Sequence, residues 1–287
     1  MKYSYQAGVI VPFARKHYKL LILAVAGLFL TSISAMSLMA GAVNSTVVVT
    51  GDTSSGENQP GWLFNRDTST STPYEFNSDQ ASIGSGSLYV EPIGATPADK
   101  FIGEFFMNTP IADVTGVDYD YMIGTGGAVS DANEFYMNVY ANFGESDPFK
   151  FYDCRYNVVP SVGSTSAFNT VSFDTTLAYP VTTRSSSPYT CPATPAGMDA
   201  LSPGSTIRVI ALNVGDTSAN DIGLDGYLDN VVVSTTSGST TYDFEPATTP
   251  VSKDECKKGG WMTFNSPSFK NQGQCVSFVA SQGRGNR

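Results

Sequence analysis

Asp118-Tyr119-Asp120-Tyr121 is the segment whose residue types and spacing come closest to a reacting site. On an extended strand, residues i and i+2 share a face. Asp118 and Asp120 therefore present two carboxylates on one side, and Tyr119 and Tyr121 two phenols on the other. A carboxylate pair is the machinery of glycosidic cleavage, one group moving a proton and the other acting as nucleophile or base. Two such acids can equally hold a hard cation or simply face solvent. Glu104, between Gly103 and Phe105, is a second and more isolated acid. The single histidine, His17, stands near the start of the chain. Beyond it there is no Ser-His-Asp or Cys-His relay and no histidine for a zinc site. No glycine-rich phosphate loop precedes a helix.

Aromatic rings offer a different chemistry. Saccharide C–H faces stack on exposed rings while neighbouring polar groups bond to hydroxyls. Tyr119, Tyr121, Tyr136 and Tyr140 fall on strand-like segments and are the candidate ligand-binding residues. Trp62, after Pro60-Gly61, reads as a core residue.

The elements that must position these groups are β-strands. Expected strands cover residues 46–50, 87–91, 101–108, 117–123, 134–142, 149–157, 170–174, 206–214, 227–235 and 240–245, separated by Gly, Ser, Thr, Asn, Asp and Pro clusters. Glu134-Phe135-Tyr136-Met137-Asn138-Val139-Tyr140 alternates as a half-buried strand does. Residues 206–212 are more continuously apolar and suit the centre of a sheet. No mature window of 11 or more residues carries a helical stripe. Many short strands with turn-rich spacers predict an all-β chain, a jelly-roll or β-sandwich. A polar stretch, residues 180–203, reads as an excursion over the sheet tied down by a disulfide.

The two ends differ from this middle. Lys2, Arg15, Lys16 and Lys19 precede an apolar run from Leu20 to Leu30 and a small-residue stretch ending Ala40-Gly41-Ala42. This reads as a signal peptide over residues 1–42, cleaved after Ala42; an uncleaved membrane anchor through residues 20–42 is the alternative. From Val43 to Thr249 there are 24 acids against 6 bases, a net −18; from Pro250 to Arg287 there are 2 acids against 6 bases, a net +4. The acidic body argues against a nucleic acid partner, which needs a basic footprint. The expected organisation is a sandwich over 43–246, a linker over 247–254 and a small basic module over 255–287. Four cysteines in an exported chain suggest two disulfides. Sequence allows three pairings; proximity favours Cys154 with Cys191 and Cys256 with Cys275.

Two sets of residues carry a resemblance. Asp225-Gly226-Tyr227-Leu228-Asp229-Asn230-Val231-Val232-Val233 with Thr241-Tyr242-Asp243-Phe244-Glu245-Pro246, and Gly84-Ser85-Gly86-Ser87-Leu88-Tyr89-Val90, resemble strands of jelly-roll domains in exported bacterial proteins. Those folds include carbohydrate-binding modules and concanavalin-like lectins. The resemblance implies a structural Ca²⁺, with Asp229 and Asp225 as ligands and Glu75 as a candidate from the N-terminal part. The motif Cys256-Lys257-Lys258-Gly259-Gly260-Trp261, followed by Phe264, Pro267 and Asn271-Gln272-Gly273-Gln274-Cys275-Val276, is similar to a small C-terminal module on exported bacterial proteins. That implies a surface or envelope task.

Together these residues predict a secreted or cell-surface bacterial protein. Its partner is an extracellular glycan or cell-envelope polymer, and it carries no cofactor beyond a structural Ca²⁺. The leading expectation is non-catalytic recognition. The alternatives are a structural envelope protein, whose basic tail holds wall polymer, and a polysaccharide-active enzyme using a carboxylate pair.

Overall fold

The computed structural model describes residues 42–56, 59–65, 72–94, 99–144, 151–187, 189–215 and 221–282. The expected signal or anchor lies outside the described residues, apart from Ala42. Val43–Arg287 clusters as one compact unit.

The chain is a β-sandwich. One sheet holds seven strands: β1 (Val43–Val49), β3 (Tyr74–Asn77), β4 (Ser87–Val90), β6 (Val114–Ile123), β9 (Asn169–Asp174), β12 (Gly226–Thr235) and β13 (Gly238–Phe244). β12 is central, with β6 along one side and β4 then β13 along the other. β1 adds to β13 in parallel. The second sheet holds six strands in the order β10 (Val181–Thr183), β8 (Cys154–Val158), β7 (Phe135–Asn142), β11 (Thr206–Val214), β5 (Phe101–Pro110) and β2 (Gly61–Phe64), every adjacent pair antiparallel.

All ten expected strands form, with ends shifted by a few residues; residues 149 and 150 of one expectation lie outside the described set. The three strands not anticipated, β2, β3 and β10, have four, four and three residues. Runs that short carry almost no periodicity. The core between the sheets is aromatic at one end. Trp62 stacks on Phe64 at 5.6 Å and meets Phe244 edge-on at 5.1 Å.

Two segments carry local structure that the sequence patterns did not mark. The stretch 180–203 contains β10, paired to β8, and a short helix, α1 (Pro195–Leu201). Thr194 caps α1 by accepting the Gly197 N–H at 3.1 Å. The C-terminal cassette carries an 11-residue helix, α2 (Gln272–Gln282). No apolar stripe marks it. Its start is set locally: Asn271 Oδ1 accepts the Gln274 N–H at 3.0 Å as an N-cap, and Gln274 Oε1 reaches back to accept the Lys270 N–H at 2.9 Å.

Both favoured disulfides are present, Cys154–Cys191 and Cys256–Cys275. In the cassette Phe269 meets Phe264 at 6.3 Å and Phe278 of α2 at 5.4 Å. Thr248 Oγ1 donates to Thr263 O at 3.1 Å, and Asn265 Nδ2 donates to Pro246 O at 3.0 Å. The segment after β13 is thus hydrogen-bonded to the cassette.

Candidate functional site

The outer face of the six-stranded sheet carries a groove of about 470 Å³. Strand pairing builds it. β7 faces β8 with Asn138 opposite Asn157 and Tyr140 opposite Arg155. Since alternate residues share a face, Tyr136, Asn138 and Tyr140 line up outward beside Arg155 and Asn157. Phe135, Met137 and Val139 point into the core, each fully buried. Lys100, Asn133 and Val159 complete the lining.

Two side-chain amides of the lining, Asn138 and Asn157, are held in place by bonds to each other and to the buried Asn213 beside them. Asn138 Nδ2 donates to Asn157 Oδ1 at 2.9 Å. Asn213, on β11, donates from Nδ2 to Ala211 O at 3.0 Å and lies 3.4 Å from Asn138 Oδ1. These contacts fix the amide orientations before any ligand arrives. At one end Tyr140 meets Phe151 at 5.0 Å and Tyr152 at 5.1 Å, with the Arg184 guanidinium 5.4 Å from the Tyr152 ring. Burial raises the Tyr140 phenol above its ordinary pKa, and Glu104 adds to this, while the hydrogen-bonded Arg155 pulls the other way. The phenol is neutral and available for hydrogen bonding. Glu104, the isolated acid of the sequence, is buried on neighbouring β5.

Of the four tyrosine candidates the structure brings Tyr136 and Tyr140 together, half-buried, in this groove. Tyr119 and Tyr121 are corrections. Both are 0 % exposed in the core. The Tyr119 hydroxyl donates to Phe135 O at 2.6 Å, and that of Tyr121 donates to Val162 O. Parity put them opposite Asp118 and Asp120, but parity does not say which face of β6 is inside. Asp120 is itself occupied: its carboxylate accepts Thr170 Oγ1 at 2.6 Å, Asn230 Nδ2 at 2.8 Å and Ser82 Oγ.

The three candidate Ca²⁺ ligands do not converge. Asp225 accepts the Tyr89 hydroxyl at 2.8 Å and the Gly126 N–H at 2.6 Å. Asp229 accepts backbone N–H groups of Ser82, Ile83 and Phe244 at 2.9, 3.0 and 3.1 Å. Burial pushes its pKa up to about 6 against the pull of those bonds. Glu75 is exposed and accepts Asn77 Nδ2 at 2.8 Å. Among the described residues, no three His, Cys, Asp or Glu side chains gather as a metal site.

A carboxylate pair that the sequence reading passed over does converge. Asp243 and Glu245 are 8 % and 7 % exposed. Ser85 donates to Glu245 from its N–H at 2.6 Å and its hydroxyl at 2.7 Å. Asp243 Oδ1 is buried with no hydrogen-bond partner. Burial, then the like charge of Glu245, raises the Asp243 pKa. Both acids close on Gly84, which has φ +63°: a Cβ there would collide with Glu245 Oε1 and stand 2.8 and 2.9 Å from the Asp243 oxygens. Two desolvated carboxylates, one with an orphaned oxygen, fit a hard cation whose remaining ligands are carbonyls and water. The missed signal was the Asp243-x-Glu245 spacing, the same i, i+2 relation as Asp118 and Asp120.

No protein-family model matches the chain, and no curated protein matches its sequence. Several solved structures resemble its fold. The family 11 carbohydrate-binding module of the cellulosomal cellulase Lic26A-Cel5E of Clostridium thermocellum is 11 % identical at TM-score 0.38, over 66 % of this chain and 96 % of that one. TmCBM61, solved in complex with β-1,4-galactotriose, is 8 % identical at TM-score 0.31, over 59 % and 85 %. The enzymatically active domain of bacteriophage CBA120 tailspike protein 4 is 12 % identical at TM-score 0.33, over 61 % of this chain and 19 % of that one. At these identities the likeness is one of fold alone.

Proposed function

We propose that this is an exported, non-catalytic glycan-binding protein of the cell surface or medium, and that the groove on the six-stranded sheet is its binding site. The observation that carries the reading is the pre-ordered row Tyr136, Asn138 and Tyr140 beside Arg155 and Asn157. Half-buried rings supply stacking surfaces, and the amides supply fixed donors and acceptors for hydroxyls. The groove volume falls within the roughly 300–1,000 Å³ of small-ligand pockets. The non-catalytic part is supported by the fate of Asp120, whose carboxylate is already spanned by three donors.

We propose that a structural Ca²⁺ binds at Asp243 and Glu245 and not at the acids first considered. There the ion would neutralise two adjacent charges and tie the end of β13 to the Gly84–Ser85 turn. It would take no part in ligand contact, because Asp243 lies on β13 of the seven-stranded sheet and Glu245 directly follows that strand.

A glycan array tests the main reading, with the wild-type protein run beside the Tyr136→Ala, Tyr140→Ala double variant. The expected result is a defined set of glycans bound by the wild type and lost in the variant. Absence of any bound glycan, or retention of the full set by the variant, would overturn it.

A further inference from the structure

We infer that the groove selects an acidic saccharide, holding a carboxylate or phosphate on the sugar between Arg155 and Lys100. This rests on the reading of the groove as a glycan site and adds the ligand's charge to it.

Residues 43–249 hold only 6 bases among 24 acids. Two of those six, Lys100 and Arg155, line this one groove, and among the described residues no acid lines it. The acid that acts on Tyr140 is Glu104, at 6 % exposure on the neighbouring strand. Arg155 is oriented by its bond to the Tyr140 phenol. Its Nε is buried without a hydrogen-bond partner, so it is the rest of the guanidinium, on a half-buried side chain, that can meet a ligand.

Neutral hydroxyls need only the amides and the phenols. Partly desolvated cations are costly beside a neutral ligand, whereas an anion turns them into charge-assisted bonds, roughly twice as strong as neutral ones. A planar guanidinium suits both carboxylate and phosphate, and an ammonium adds a point charge. The acidic exterior disfavours long polyanions lying across the body. Recognition is therefore confined to the groove, within the roughly 8 Å Debye length of physiological salt.

The test is calorimetric titration of the full chain with matched pairs. One arm uses oligogalacturonate and its methyl ester, alginate oligomers and their carboxyl-reduced forms. The other uses a phosphorylated mannan and its dephosphorylated form. In at least one arm the acidic member is expected to bind about tenfold or more tightly than its neutral partner, as one charge-assisted bond implies. Arg155→Gln and Lys100→Gln should each remove most of that preference, whatever they do to overall affinity, and high salt should shrink it. Thermal melts check folding; if Arg155→Gln does not fold, Lys100→Gln decides. Equal binding of both members in every arm, or a preference that survives the lysine substitution, overturns the charge inference. Tight binding of neutral glycans alone overturns it and leaves the glycan reading intact. No binding to any glycan overturns both.

Discussion

The two sheets use their polar residues in opposite ways. On the seven-stranded sheet, Asp120, Asp225 and Asp229 are each bonded by groups from distant parts of the chain. Those acids are joints, and they leave little for a ligand. On the six-stranded sheet, Asn138 and Asn157 hold one another beside rings and cations that remain accessible along a groove. A polar group consumed by the fold stabilises it; a polar group ordered but still open can recognise something.

The sharpest way to break that comparison is to treat equivalent residue types in both places. Tyr121→Ala removes a fully buried ring stacked on Phe135 at 5.0 Å and should cost about 3–5 kcal/mol, the range for large aromatic truncations in cores. Tyr140→Ala should cost far less stability and abolish glycan binding. Urea unfolding of both variants, with binding measured on the folded protein, checks the pair. Similar destabilisation by the two would mean that Tyr140 is a core residue.

Replacing Cys154 and Cys191 by Ser opens a 37-residue separation and should lower stability by about 2–5 kcal/mol. Because Arg155 follows Cys154 on β8, glycan affinity should also fall at temperatures well below the melt. The Cys256 and Cys275 pair, in the cassette, should leave groove affinity unchanged when replaced.

Ca²⁺ is expected to raise the melting temperature, and EDTA to lower it. An ion present at about 100 times its Kd adds about 2.7 kcal/mol. Asp243→Asn should abolish the shift, and Asp225→Asn should not. A shift that persists in the Asp243 variant would return the ion to another site.

The smallest expected effect is one of pH. Asp229 titrates at about 6 in the fold, against an ordinary 3.8. The folded state therefore binds more protons than the unfolded state between those values, so stability falls as pH rises through this window. Asp243 shifts in the same direction. Melts in EDTA from pH 4 to 7 should show this loss, and added Ca²⁺ should offset more of it as pH rises and Asp243 ionises.

Much of the fold was legible because long strands advertise their period. The alternation over residues 134–140 correctly turned Tyr136 and Tyr140 to one face, and the apolar run at 206–212 correctly became a strand flanked on both sides. The same parity failed for Tyr119 and Tyr121. A period of two sorts residues into faces without saying which face is buried. Arg155, Asn157 and Lys100 were invisible as site residues, because only the β7–β8 pairing and the chain's path into β5 bring them beside the tyrosines. Asp243 and Glu245 meet Gly84 and Ser85 across about 160 residues of chain, a contact no local pattern encodes. α2 escaped because its cap, and not an amphipathic stripe, starts it.

The central claim is best tested by NMR titration of the isotopically labelled protein with the tightest glycan from the array. The account expects amide shifts concentrated at Tyr136, Asn138, Tyr140, Arg155 and Asn157, with Asp118, Asp225 and Glu75 unmoved. Shifts centred on the seven-stranded sheet, with the groove silent, would contradict it.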